Sequence, residues 1–201
     1  MIDKLKKEIL NNLKINAKGY ILIIAIFVGG LILSAIVNIS SGSEEEIRLY
    51  VNDFIENVKN YSTDSGKTFN IAFAGYIKFI AFSLLMSLTI FGCIGIYIYV
   101  FIKGFSYGSV FVALTGMSGY KGYLFFITAI FPHIILLAPC CICYLLHCVN
   151  KSHELPKGMR NIISSTISSL LYGCICMVFL SVSALVQSYV EPLLIRIINF
   201  N

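Results

Sequence analysis

Residues 79–150, FIAFSLLMSLTIFGCIGIYIYVFIKGFSYGSVFVALTGMSGYKGYLFFITAIFPHIILLAPCCICYLLHCVN, decide the fold of this chain. The stretch has 72 residues, and only Lys103 and Lys121 are charged. Inside a bilayer every backbone polar group must be bonded within the protein, so such a run indicates membrane-spanning helices. The two lysines separate three apolar segments: 79–102, 104–120 and 122–150. The outer two are long enough to cross a hydrocarbon core of about 30 Å, whereas the middle one is marginal.

The composition of the whole chain indicates the same class. Of its 201 residues, 58% are hydrophobic and 12% are charged, which is about half the charged fraction of a soluble domain. We therefore expect an all-α, polytopic bundle of membrane helices in contact with lipid. The net charge of +5 does not indicate a nucleic-acid partner, because the lysines flank apolar runs and form no free basic face. The seven cysteines lie in apolar runs or at their edges, which favours small buried side chains over disulfides.

Charge patterning orients the helices and divides the chain. The N-terminal segment carries five lysines against two acidic residues, whereas the first hydrophilic loop has a net charge of −3. Because lysine and arginine favour the cytoplasmic side, we predict a cytoplasmic N-terminus and an extracytoplasmic C-terminus. The predicted units are a cytoplasmic basic amphipathic segment (1–18), a first transmembrane helix (19–39) and an extracytoplasmic acidic loop (40–68). A four-helix membrane core (69–190) and an extracytoplasmic tail (191–201) follow.

The number of spans depends on segment 104–120. If this segment crosses the bilayer, the chain has five transmembrane helices, and the basic loop 151–160 lies inside with the N-terminus. If it only dips into the membrane and returns, the same basic loop is placed outside. The positive-inside rule therefore predicts five spans.

Small residues mark candidate helix contacts. Gly104 and Gly108 form a small-xxx-small face, and we predict that it packs against another helix or a partner protein. Gly29, Gly30 and Ser34 lie in the middle of the first span. They either allow a similar close approach or reflect the ordinary tolerance of membrane helices for glycine.

The acidic loop 40–68 is predicted to contain an amphipathic extracytoplasmic helix. Ser43 can cap this helix, and apolar residues that include Tyr50, Phe54 and Val58 then recur at spacings of three and four. Their apolar stripe is a candidate contact for a partner or the membrane surface. The alternative is that it packs on the helices of the same chain.

Pro132, His133 and Pro139 mark a break in segment 122–150. A proline within a helix removes a hydrogen bond and clashes with the preceding turn, so we expect this helix to be kinked or broken twice. An ionisable residue such as His133 inside a membrane segment is a functional-site hypothesis. The alternative is a neutral ring bonded to a carbonyl that a proline frees. The sequence shows no second ionisable residue at the same depth, which favours that alternative.

The sequence contains little that indicates catalysis. It has no Walker loop, no HExxH motif and no dinucleotide fingerprint. Cys143 and His147 are four residues apart, but structural zinc sites lie in polar loops rather than in apolar helices. We therefore expect no enzyme activity, no metal or other cofactor and no small-molecule substrate. The proline-interrupted helix still leaves open a small transporter or channel component as an alternative function.

Four motifs together resemble the stage II sporulation protein M family. They follow one another along nearly the whole chain: FIKGFSYG at 101–108, GYKGY at 119–123, FPHIILLAP at 131–139 and YVEP at 189–192. The wider family often carries an acidic residue two positions before the second proline. This sequence has Leu137 there, which argues against a catalytic role.

The resemblance implies a function that the spacing of residues does not show. It implies a non-catalytic scaffold in the mother-cell membrane at the sporulation septum. Such a scaffold recruits two peptidoglycan-degrading partners, stage II sporulation proteins P and D, for septal thinning and forespore engulfment. On this interpretation Gly104 and Gly108 are the first candidates for partner contact, and the stripe of Tyr50, Phe54 and Val58 is the second.

Overall fold

The computed structural model of the protein describes residues 17–41, 65–118, 120–129, 131–154, 162–191 and 193. Within these residues the chain is helical and has no strand. The elements are α1 (Ala17–Ser41), α2 (Ser65–Ser87), α3 (Gly92–Ser118), α4 (Tyr120–Ala129), α5 (Phe131–Glu154), α6 (Ile162–Leu185) and a π-helical turn (Val186–Val190).

Five stretches are long and apolar enough to cross a membrane. They are Ala17–Asn38, Ser65–Ser87, Gly92–Gly116, Pro132–Ser152 and Thr166–Val190. The predicted all-α bundle with five membrane-spanning helices is therefore confirmed. Its cytoplasmic N-terminus and extracytoplasmic C-terminus stay predictions, and the loop helix with Tyr50, Phe54 and Val58 lies outside the described residues.

The predicted boundary between the second and third spans is wrong. The sequence placed it at Lys103, but α2 ends at Ser87, and α3 runs unbroken from Gly92 to Ser118 with Lys103 in its middle. The reversal occurs in the uncharged turn 88–91, where a side chain at Gly92 would collide with the carbonyl of Met86. A lysine can lie within a span because its long stem carries the ammonium along the helix toward more polar surroundings.

Contacts at one end of the bundle fix the helix directions. Ser152 Oγ, near the end of α5, donates to Thr89 O at 2.7 Å and accepts the Cys93 amide proton at 3.3 Å. At the beginning of α1, Tyr20 O–H donates to Cys143 Sγ of α5 at 3.6 Å. The beginning of α1, the turn after α2 and the end of α5 therefore share one end of the bundle. It follows that α1 and α3 run parallel.

The parallel pair α1 and α3 makes a close helix crossing. An added Cβ at Gly30 would collide with Phe101 O, and one at Gly104 would collide with Phe27 O. Gly108 is also tight, since its Cβ would lie 2.9 Å from Leu31 O. The two backbones approach this closely because small residues recur at the same level on both helices.

Helix α5 lies at the centre of the bundle. Its residues Tyr144, Leu145 and Cys148 are buried, and they pack with Ile23 of α1 and Ile96 of α3. The hydroxyl of Tyr144 reaches α2, where it donates to Ile80 O at 3.5 Å. On the far side of α5, Cys140 and Cys176 each contact the backbone carbonyl of the other, which joins α5 to α6.

Only one of the two proline positions interrupts the helix. The chain passes from α4, which ends at Ala129, to α5, which begins at Phe131 with Pro132 in its first turn. A proline is tolerated there because the first amides of a helix lack an internal acceptor. Pro139 lies inside α5, and the helix continues through it without a break.

Candidate functional site

His133 forms a buried ion pair or hydrogen bond with Glu191. Its Nδ1 lies 2.6 Å from Glu191 Oε1, and the two residues are only 6% and 4% exposed. The expectation that His133 has no ionisable neighbour is therefore wrong, and so is the alternative in which its ring bonds a carbonyl freed by a proline. A buried charged group is costly unless it is paired, so each of these side chains accounts for the presence of the other.

The π-helical turn brings Glu191 into the bundle. Sequence reasoning ended the last span before Glu191 and placed this residue in a tail. In the structure, α6 is followed directly by Val186–Val190, and Glu191 continues the helical path. A π turn holds one more residue than an α turn and so rotates whatever follows it, and such turns are frequent at functional sites. The buried positions Ala184, Ser188 and Glu191 share one face, a spacing of four and three that the sequence does display.

Two hydroxyl groups extend the polar contacts from His133 into α2. Ser183 Oγ donates to the backbone oxygen of His133 at 3.2 Å. Its only proton is used in this bond, so the 3.4 Å contact with Tyr76 has the tyrosine as the donor. The resulting network joins α2, α5 and α6 at the end of the bundle opposite the turn 88–91.

A cavity of about 430 Å³ adjoins the pair. Its walls are residues of α1, α2, α3 and α5, with Gln187 from the π-helical turn. The lining is mainly apolar, and its polar members include Tyr76, Lys103, Tyr107 and His133. Pockets of this size with a few polar groups among apolar walls are the usual form of ligand sites.

This arrangement fixes the imidazole ring of His133 in one orientation. A carboxylate at Nδ1 fixes the orientation and tautomer of a histidine ring, as in many catalytic pairs. The hydroxyl of Ser183 donates to the backbone oxygen of His133 and not to its ring. Within the described residues, no His, Cys, Asp or Glu cluster is suited to hold a metal ion.

The remaining predicted site residues are dispersed. Gly104 and Gly108 face α1, so this surface is covered within the chain and is not open to a partner in this conformation. His147 stacks on Tyr172 with ring centroids 4.4 Å apart, whereas Cys143 is contacted by Tyr20. Tyr50, Phe54 and Val58 lie outside the described residues.

Five apolar spans and a buried His–Glu pair beside an internal cavity define a multi-pass helical membrane protein. A sequence model described as stage II sporulation protein M matches residues 22–192, which include both His133 and Glu191. The chain therefore belongs to the stage II sporulation protein M family and is a sporulation-related membrane protein. Searches of curated proteins and of solved structures give no match.

Proposed function

We propose that this chain is a non-catalytic scaffold of the engulfment machinery. It recruits peptidoglycan-degrading partners, stage II sporulation proteins P and D, to the mother-cell membrane at the septum. The observation that carries this proposal is the family match, because it reaches all five spans. A scaffolding role is also consistent with His133 and Glu191, which satisfy each other in a buried pair.

The acidic loop is the partner surface that we favour. The glycine face of α3 is filled by α1, so the first of the two surfaces expected from the sequence is already used within the chain. The stripe of Tyr50, Phe54 and Val58 is predicted to be extracytoplasmic, on the side where peptidoglycan lies. Aromatic residues on such a stripe contribute strongly to contacts between proteins.

The scaffold proposal is tested by gene deletion and complementation in the native spore-former. Deletion is expected to stop engulfment, seen by membrane labelling, and to disperse fluorescent fusions of proteins P and D from the septum. Complementation with Tyr50→Ser, Phe54→Ser and Val58→Ser together is expected to fail. Asn52→Ser with Lys59→Ser alters the opposite face of the same predicted helix and is expected to restore engulfment. Normal engulfment in the deletion strain would refute the proposed role.

The cavity supports a second candidate function, a small transporter or channel component. Transport sites combine an interrupted helix with polar groups near an internal cavity. Here the helix is interrupted between α4 and α5, just before Pro132, and His133 lines the cavity. Proteoliposomes would then show solute or proton flux that His133→Ala abolishes. Absence of flux under every imposed gradient would eliminate this candidate.

A further inference from the structure

The cavity is elongated along α5. Its lining residues on α5 extend from His133 to Leu145, which corresponds to about 18 Å along the helix axis. Most of the side chains along this length are apolar. The cavity therefore suits a hydrocarbon chain that lies along the helices.

The cavity opens toward lipid between α1 and α2. Ile24 of α1 and Ile71 of α2 both line it, yet they are 47% and 56% exposed. Gly75 also lines it, and a Cβ added at this glycine would meet nothing within 4 Å. A hydrocarbon chain of the surrounding bilayer can therefore enter from the side.

A cation lies at one end of this opening. Lys103 lines the cavity, and its Nζ lies 5.7 Å from the centroid of the Tyr99 ring. Tyr99 is one turn closer to the beginning of α3, so the ammonium lies about 10 Å from Gly92 along the helix axis. Because the span Gly92–Gly116 is longer than the hydrocarbon thickness, an ammonium at this level of the helix can reach the headgroup region.

The described part of the chain contains two acidic residues, Glu154 at the end of α5 and Glu191, which pairs with His133, so it offers no acid within the span of Lys103 to compensate its charge. A charged residue in a membrane span is costly and usually has a partner or a water-filled path. An anionic lipid headgroup drawn slightly inward would supply the missing charge. Its acyl chain would extend along the apolar walls toward Leu137 and Ala138.

We propose that this cavity binds one acyl chain of an anionic phospholipid whose phosphate pairs with Lys103. The lipid fills the space between α1 and α2 and so becomes part of the bundle. The site discriminates by headgroup charge at Lys103. This proposal does not depend on the scaffold function, because it concerns the isolated protein in a bilayer.

The experiment compares two photoactivatable lipids in vesicles of phosphatidylcholine. One is phosphatidylglycerol and the other is phosphatidylcholine, each with a diazirine in one acyl chain. After irradiation, mass spectrometry measures labelling of the peptide that contains Leu137 and Ala138. We expect phosphatidylglycerol to label this peptide more strongly, and Lys103→Gln to lower its labelling about fivefold. Lys103→Arg is expected to retain the preference, and so is Lys78→Gln, which removes an exposed lysine of α2.

A second pair of variants tests occupancy of the cavity itself. Gly75→Leu places a side chain in the opening and is expected to suppress labelling by both lipids. Gly29→Leu is the matched control, because a Cβ added at Gly29 also meets nothing within 4 Å and this glycine does not line the cavity. Equal labelling of the unaltered protein by the two lipids would overturn the proposal and show that bulk lipid fills the space. Unchanged labelling in Lys103→Gln would overturn it as well.

Discussion

Alanine substitutions along α3 test the close crossing of α1 and α3. An added Cβ at Gly104 would lie well under 3.0 Å from Phe27 O, a backbone atom that cannot rotate away. At Gly108 the nearest atom is Leu31 O at 2.9 Å, so a smaller displacement suffices. At Gly116 a Cβ meets nothing within 4 Å, which makes this glycine a control on the same helix.

The expected changes in the free energy of unfolding are graded. Replacing glycine by alanine in a helix is favourable by about 1 kcal/mol, so Gly116→Ala is expected to be neutral or stabilising. Overpacking of a close contact costs about 1–3 kcal/mol, which opposes this gain at Gly104. We therefore expect Gly104→Ala to be less stable than Gly116→Ala by about 1–3 kcal/mol. Gly108→Ala should fall between the two.

Reversible unfolding in SDS, followed by circular dichroism in mixed micelles, measures these differences. Helix content before unfolding must be the same in all three variants, so that only the packing differs. Equal stability of Gly104→Ala and Gly116→Ala would refute the reasoning, because it would mean that α1 does not press against α3. The order of the three variants matters more than any single value.

The His133–Glu191 pair, the turn after α2 and the predicted orientation each give a measurable expectation. Glu191→Leu leaves a buried ring nitrogen without its partner and should lower the free energy of unfolding by about 1–3 kcal/mol, part of which His133→Phe should restore. No loss in Glu191→Leu would show that the pair does not stabilise the fold. Ser152→Ala removes the donor to Thr89 O and should lower the free energy of unfolding by about 1 kcal/mol. It should also accelerate amide exchange in the turn 88–91. Unchanged exchange would show that this hydrogen bond does not hold the turn. Cysteine at Lys157, in a background without native cysteines, should react with an impermeant maleimide only in opened cells, and labelling of intact cells would contradict the predicted orientation.

The number of spans could be predicted from the distribution of positive charge, but their boundaries could not. Charged residues usually mark the ends of apolar runs, and this rule placed a boundary at Lys103. The ammonium instead lies beside the ring of Tyr99 and the cavity, which makes a lysine tolerable within α3. The real turn at 88–91 carries no charge, and its signal is the steric requirement for glycine at position 92.

The buried pair was missed because it joins residues far apart in the chain. His133 and Glu191 are 58 positions apart, and nothing local to either residue indicates the other. The two residues reach the same level because α6 runs antiparallel to α5 and the helical path continues through Val186–Val190 to Glu191. The stripe of Ala184, Ser188 and Glu191 was visible in the sequence, but Pro192 suggested that the helix had already ended.

The parallel packing of α1 on α3 has a consequence for how the protein is made. The hydroxyl oxygens of Ser34 and Ser109 lie 2.8 Å apart in the crossing, yet the two residues are separated by 75 positions in the chain. At about 5–20 residues per second, a ribosome needs roughly 4–15 s to synthesise that interval. During this time α1 is already made, but its face around Gly30 is not yet covered by α3. A second nascent chain nearby could occupy that face, so correct assembly depends on the third helix arriving first.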